Sequence, residues 1–276
     1  MNTKNKFYTA RNDLAFKTIM LSKKDILKKI IESVLEEEIG EIKILNSELS
    51  IVNVKSKKRV VDILVQIQNQ YLNVEMNNNK GEYINLRNAT YLFNVVNESI
   101  SKGEDYTELL KNEYIGISLS YENGGHKIRN EYKLQDEDGE GFIKNLKIIE
   151  INMEKLNKAW YTLSKKDQEK YKYLQMLDIE EKSLDSFTKG DKVMEEYADA
   201  IKKLNKDEEF RMHITEEEDA ELIYRSDMHL ARDEGIKQGA KQNAIETAKK
   251  MLDKNKPIEE IEEFTGLSQE EIEELQ

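Results

Sequence analysis

Asp62 and Glu75 are the residues whose types and spacing could do chemistry, and both lie in the stretch Arg59 to Asn77, which reads as two strands and a tight polar turn. In the first strand Val61, Ile63, Val65 and Ile67 share one face by the two-residue period, and Asp62, Leu64 and Gln66 share the other. After a turn at Gln68-Asn69-Gln70, Leu72, Val74 and Met76 form an apolar face opposed by Tyr71, Asn73, Glu75 and Asn77. If the apolar faces coincide, so do the polar ones. Asp62 and Glu75 then point the same way from neighbouring strands, an arrangement that offers two carboxylates to one hard cation. Asp is depleted in strands, and a break in a local rule within a β-branched run often marks a functional site. The plainer reading, in which both acids solvate the outer face of a hairpin, stays open on these residues alone.

The neighbouring elements must hold that hairpin in place. Asn12 or Asp13 can cap a first helix through Ala15, Phe16, Ile19 and Met20, followed by helical periodicity from Asp25 to Leu35 that Gly40 closes. Ile42 to Asn53 suggests a lead-in strand. Asn77-Asn78-Asn79-Lys80-Gly81 is loop chemistry, and Glu82 to Ser101 returns to helix, with Arg87 and Tyr91 four residues apart on one face. Strands are expected over Tyr114 to Tyr121, Lys127 to Leu134 and Leu146 to Ile151, separated by the turns Asn123-Gly124-Gly125 and Asp136 to Gly141. Beyond Trp160 strands stop. Lys165 to Leu177, Lys192 to Leu204 and Thr215 to Leu252 read as helices, the last with Thr215 and Glu218 placed as a capping box. Pro257 starts a short helix that Gly266 ends, and Ser268 with Glu271 caps another. The economical architecture is α/β, a mixed sheet flanked by helices with an all-helical C-terminal region. The expected divisions are 1–160 for the sheet domain, 161–214 for a helical extension, and 215–276 for the long helix and short helical pair.

Composition narrows the function classes. Of 276 residues, 38% are hydrophobic and 36% charged, with no Cys, so disulfides and thiolate metal sites are excluded. No apolar run is long enough to span a bilayer, and Met1 to Lys6 lacks the apolar core of a signal peptide, so a cytoplasmic protein without a membrane partner is expected. His126, His213 and His229 show no metal-ligand spacing. The net charge of -12 argues against a protein that coats nucleic acid. Much of the acid, however, crowds into the tail from Glu259 to Glu274, whereas Lys55, Lys57, Lys58 and Arg59 cluster just before Asp62. A basic rim beside an acidic metal site and a solvated charge run both fit that cluster.

Head, hairpin and tail together carry a family resemblance. Asn12-Asp13-Leu14-Ala15-Phe16-Lys17, the Asp62 and Glu75 strands and the helix with Arg87 and Tyr91 are followed by Ala248-Lys249-Lys250-Met251-Leu252, Thr265-Gly266-Leu267-Ser268 and Glu271-Ile272. In this order they resemble the Rpn family of recombination-promoting nucleases and putative transposases, within the PD-(D/E)XK nuclease superfamily. The resemblance implies a restriction-endonuclease-like fold and a metal-dependent DNA endonuclease, associated with recombination, mobile elements or phage conflict. It further implies magnesium, with manganese as substitute, held by Asp62, Glu75 and the Met76 carbonyl, and a catalytic set of Asp62, Glu75 and Asn77. Asp13, Lys17, Lys80, Arg87 and Tyr91 become accessory or phosphate-binding candidates. Asp13 is equally a helix-start residue favoured by the dipole, and Tyr91 equally a core residue.

Two positions depart from the pattern. Val61 stands where the superfamily has Pro, and Asn77 stands where it has Lys and the Rpn group usually has Gln. Asn carries no charge, and loss of a cationic donor costs on the order of a hundredfold or more in rate. The chain is then a slow nuclease, one that borrows Lys17 or Lys80, or a degraded relative acting as a nucleic-acid- or protein-binding regulator or inhibitor. A homodimer is expected through the C-terminal region, where Ile223, Leu230, Ile236, Ile245 and Leu252 join Ile261, Phe264 and Leu267 as apolar surface, with internal docking as the alternative.

Overall fold

The computed structural model describes residues 6–45, 63–78, 81, 83–100, 105–121 and 125–275. Among them six strands form one mixed sheet. These are β1 (Lys43–Ile44), β2 (Ile63–Ile67), β3 (Gln70–Asn77), β4 (Glu113–Ser120), β5 (Arg129–Gln135) and β6 (Gly141–Asn152), in the spatial order β1-β2-β3-β4-β6-β5. The β2–β3 hairpin is antiparallel, β3–β4 and β4–β6 are parallel, and β5 closes the far edge antiparallel to β6. Only Gln68 and Asn69 lie between β2 and β3, and Gln68 takes the positive φ of 51° that such a short reversal needs.

Side-chain alternation gives the sheet two unlike faces. Ile63, Val65, Leu72, Val74, Ile117, Leu119, Ile149 and Ile151 share one face by register, and all are buried. Arg129, level with Ile151 on that face, donates to the Val34 carbonyl at the end of α2 (2.9 Å). Here α1 (Asp13–Ser22) contributes buried Ala15, Phe16, Ile19 and Met20, and α2 (Lys24–Leu35) contributes Ile26, Leu27, Ile30, Ile31 and Val34. Asn12 caps α1 by accepting from Ala15 N–H (3.0 Å). The second helix ends at Glu36 in the left-handed region (φ 64°), before the expected stop at Gly40. α4 (Met153–Ala159), α5 (Lys165–Gln175), α6 (Glu181–Thr188) and α7 (Lys192–Asn205) complete a compact unit that runs to Phe210.

On the opposite face lies α3 (Tyr83–Glu98), whose Leu92 and Val95 cluster with Tyr114 and Leu146 and touch Leu64, Tyr71 and Ile148. Gly116 lies beneath Leu92, where a Cβ would press Ile148 at 3.3 Å and touch Leu92 at 3.4 Å. Residues 211–276 form a second unit, containing most of α8 (Glu208–Leu252) with α9 (Ile258–Thr265) and α10 (Gln269–Glu273). Its small core joins Ala248, Ile261, Leu267 and Ile272. The Ser268–Glu271 capping box is present, and Gly266 ends α9 with φ 71°. The expected box at Thr215 and Glu218 is not a helix start. α8 already begins at Glu208, where Asp207 accepts from Phe210 N–H (2.8 Å), so Thr215 lies inside the helix and turns its hydroxyl back to the Arg211 carbonyl (2.9 Å). No helix among the described residues is long and apolar enough to cross a membrane.

Candidate active site

The α3 face of the sheet is apolar at one end and polar at the other. Along β3 it presents Tyr71, then Asn73, Glu75 and Asn77, and the last three are buried. Parallel register sets Ser118 beside Glu75 and Ser120 beside Asn77 on β4, then Glu150 and Asn152 on β6, with Asn130 of β5 level with Glu150. All of these are buried as well. A stripe of polar side chains therefore crosses four strands near the C-terminal ends of the parallel ones, where open α/β sheets place ligands.

Within the stripe the hydrogen bonds are specific. Asn77 Nδ2 donates to Ser118 Oγ (2.8 Å), and Arg87 Nη2 on α3 donates to Asn77 Oδ1 (2.5 Å). Ser118 Oγ also accepts from Asn88 Nδ2 (3.3 Å). Glu150 is occupied elsewhere, accepting from Gly125 N–H (2.7 Å) and the Tyr132 hydroxyl (3.1 Å), so it ties down the segment before β5. Asn152 donates to the Gly125 carbonyl (2.9 Å) and caps α4. Among the described residues, Asn73 Oδ1, Asn88 Oδ1 and Arg87 Nε on this side are buried without a hydrogen-bond partner.

The head of α1 meets the end of β3. Asn78 Nδ2 donates to the Arg11 carbonyl (2.7 Å), and Tyr121 N–H donates to the Asn77 carbonyl (2.9 Å). Since carbonyls alternate along a strand, the Met76 carbonyl turns to the β2 side. Arg11 lies over the Tyr121 ring (4.5 Å). Burial and the neighbouring Asp178 charge push the enclosed Tyr121 hydroxyl well above its usual range. Burial likewise raises Asp178, against the Asn157 amide, Tyr121 and the Arg11 charge.

The site residues expected from sequence do not all come together. Glu75, Asn77 and Arg87 come together, and Tyr91 lies against Arg87 with its ring 5.7 Å from the guanidinium carbon. Lys17 binds Asp13 Oδ2 (3.0 Å), an exposed pair within α1. Asp62, Lys80 and the basic run Lys55 to Arg59 lie outside the described residues. Among those that are described, no three His, Cys, Asp or Glu side chains converge as a metal cage. The sequence reading missed Ser118, Ser120, Glu150, Asn152 and Asn130. Their signal was the alternation Gly116-Ile117-Ser118-Leu119-Ser120 and Ile149-Glu150-Ile151-Asn152, whose faces only strand register can align.

A family model described as PD-(D/E)XK nuclease family transposase matches residues 10–234, from the head of α1 through the sheet and well into α8. The chain belongs to this family. Membership bears out the resemblance read from the head, the hairpin and the Arg87 helix, and the mixed sheet with flanking helices is consistent with a restriction-endonuclease-like fold. No curated protein and no solved structure matches the chain. PD-(D/E)XK nucleases are generally dependent on divalent metal, and the site's donors fit a hard cation: a buried carboxylate, backbone carbonyls and amide oxygens, with no sulfur ligand.

Proposed function

We propose that this protein is a metal-dependent endonuclease that hydrolyses DNA phosphodiesters. The observation that carries the reading is Glu75, a carboxylate buried on a polar sheet face beside polar atoms that have no partner among the described residues, in a chain of a nuclease family. Asp62 is its proposed partner: it precedes the paired Ile63–Val74 position by one residue, as Glu75 follows it by one. Magnesium, with manganese as substitute, would be held by Asp62, Glu75 and the Met76 carbonyl. When bound, such a metal lowers the pKa of a water and neutralises charge on the pentavalent phosphorus. The chain's own part is to fix Glu75 on a rigid strand and to bring Asn77 and Arg87 to the same face. Asp13, Lys17, Lys80 and Tyr91 are accessory candidates around it. The cellular setting proposed is cytoplasmic, in recombination, mobile elements or phage conflict, with the protein as a homodimer.

Purified protein is expected to nick supercoiled DNA in magnesium or manganese, and Asp62→Ala or Glu75→Ala to abolish nicking. Wild-type protein no more active than either variant, in both metals and on several substrates, would remove the enzymatic reading. A second reading, a degraded nuclease acting as a regulator or inhibitor through nucleic acid or a protein partner, is favoured by the uncharged amide at Asn77 and by the net charge of -12.

A further inference from the structure

The amide at Asn77 has a definite employment. Arg can only donate hydrogen bonds, so the side facing Arg87 must be the Asn77 oxygen, and the nitrogen then faces Ser118 Oγ. Ser118 accepts in turn from Asn88 of the same helix that carries Arg87. Asn77 is 2% exposed and gripped from both sides, so it cannot swing out. A Lys in its place would have no acceptor to offer Arg87 and would set a second cation against it. The uncharged residue on β3 and the cation on α3 thus form a matched pair.

We propose that Arg87 is the cation of this site, delivered from α3 and aimed by Asn77 and Ser118, in place of the lysine that the strand itself carries elsewhere in the superfamily. The inference rests on the nuclease reading. Arg87 is half-buried, and its Nε has no partner among the described residues, so the bond to Asn77 occupies only part of its donor set. A guanidinium matches phosphate oxygens with parallel donors, and it keeps its charge across the working pH range. Arg87 therefore acts on the scissile phosphate through charge and hydrogen bonds and moves no proton.

The test separates charge from architecture. Arg87→Gln keeps a donor for Asn77 and removes the charge. Binding of a short DNA duplex is measured by fluorescence anisotropy in calcium, over a series of salt concentrations, for wild type, R87Q, N77A and the N77K/R87Q double variant, and cleavage is measured separately in magnesium. R87Q is expected to bind about tenfold more weakly and to lower the salt slope by about one, the signature of one lost phosphate contact. N77A is expected to bind more weakly by a smaller factor. N77K/R87Q is expected to recover most of the affinity and the slope. An R87Q protein with wild-type affinity and slope overturns the assignment, as does a double variant no better than R87Q or a wild type without affinity for the duplex. If wild type binds as expected yet cleaves nothing, the nuclease reading fails and the phosphate contact of Arg87 stands. If wild type and R87Q cleave and bind alike, the nuclease stands and the arginine assignment fails.

Discussion

Asn205 is the side chain that joins the start of the described chain to the helical layer, and its removal has a calculable cost. Its Oδ1 accepts from Tyr8 N–H (2.7 Å), and its Nδ2 donates to the carbonyls of Tyr8 (2.8 Å) and Ile201 (2.8 Å). Asn205 and Tyr8 are both buried, so water does not replace these bonds freely. Three bonds at about 1 kcal/mol each, with some cost for backbone groups left enclosed, give about 3 kcal/mol for Asn205→Ala, within a range of about 2 to 5. For a unit of this size that lowers the midpoint of thermal unfolding by about 6 to 12 °C. Asn205→Asp keeps the acceptor for Tyr8 N–H but turns a carboxylate on two carbonyl oxygens, and should lose a similar amount at neutral pH. Trp160 is the single tryptophan, and it is buried in the same unit. Its fluorescence in a denaturant titration therefore reports that unit and not the C-terminal one. A loss below about 1 kcal/mol for both variants would refute the reasoning that these bonds hold the segment leading to Arg11 and the α1 head.

Asp178 is raised by burial, so its charged form weakens the fold above its folded pKa, and that penalty disappears as pH falls from there towards the ordinary value of 3.8. Asp178→Asn should accordingly gain most over wild type near neutral pH and lose the advantage by pH 4, in paired denaturation curves; an advantage that is constant or grows on acidification contradicts the sign. Gly235 and Gly239 meet nothing where a Cβ would stand, so Ala at either should stabilise α8 by about 1 kcal/mol, read as a higher circular-dichroism melting temperature. A lower one would reveal a close neighbour. Light scattering should find the full chain dimeric and a chain ending near Ile214 monomeric. A monomeric full chain, or a dimer untouched by the truncation, would end the dimer proposal.

Much of the sheet was legible because its strands alternate strictly. Ile63, Val65, Leu72 and Val74 declare one face and Asn73, Glu75 and Asn77 the other, and the observed pairing of Ile63 with Val74 follows from burying the apolar set together. The Arg87–Tyr91 spacing placed both on one helix side for the same reason of period. What stayed hidden depends on contacts between distant segments. The partnership of Asn77 with Ser118 needs the parallel register of β3 and β4, which no local pattern encodes. The short helices α4 and α6 hold only about two turns each, too few to stand without their neighbours, so packing rather than propensity makes them. At Thr215 a legitimate cap pattern occurs inside a helix already begun, because Thr can serve its own backbone four residues back.

The two pairings that build the site differ in how they can form. β2 and β3 meet across a two-residue reversal, and β5 and β6 are likewise adjacent in sequence, so both hairpins are kinetically local. β3 can meet β4 only after the intervening chain, including α3, has closed a long parallel crossover, and the Asn77–Ser118 and Asn88–Ser118 bonds wait on that closure. Glu75 is therefore set on its hairpin early, whereas the Arg87–Asn77–Ser118 arrangement forms only once the crossover is complete. Pulse-labelled hydrogen exchange should show β2–β3 amides protected before those of β4, and the reverse order would contradict this sequence of events.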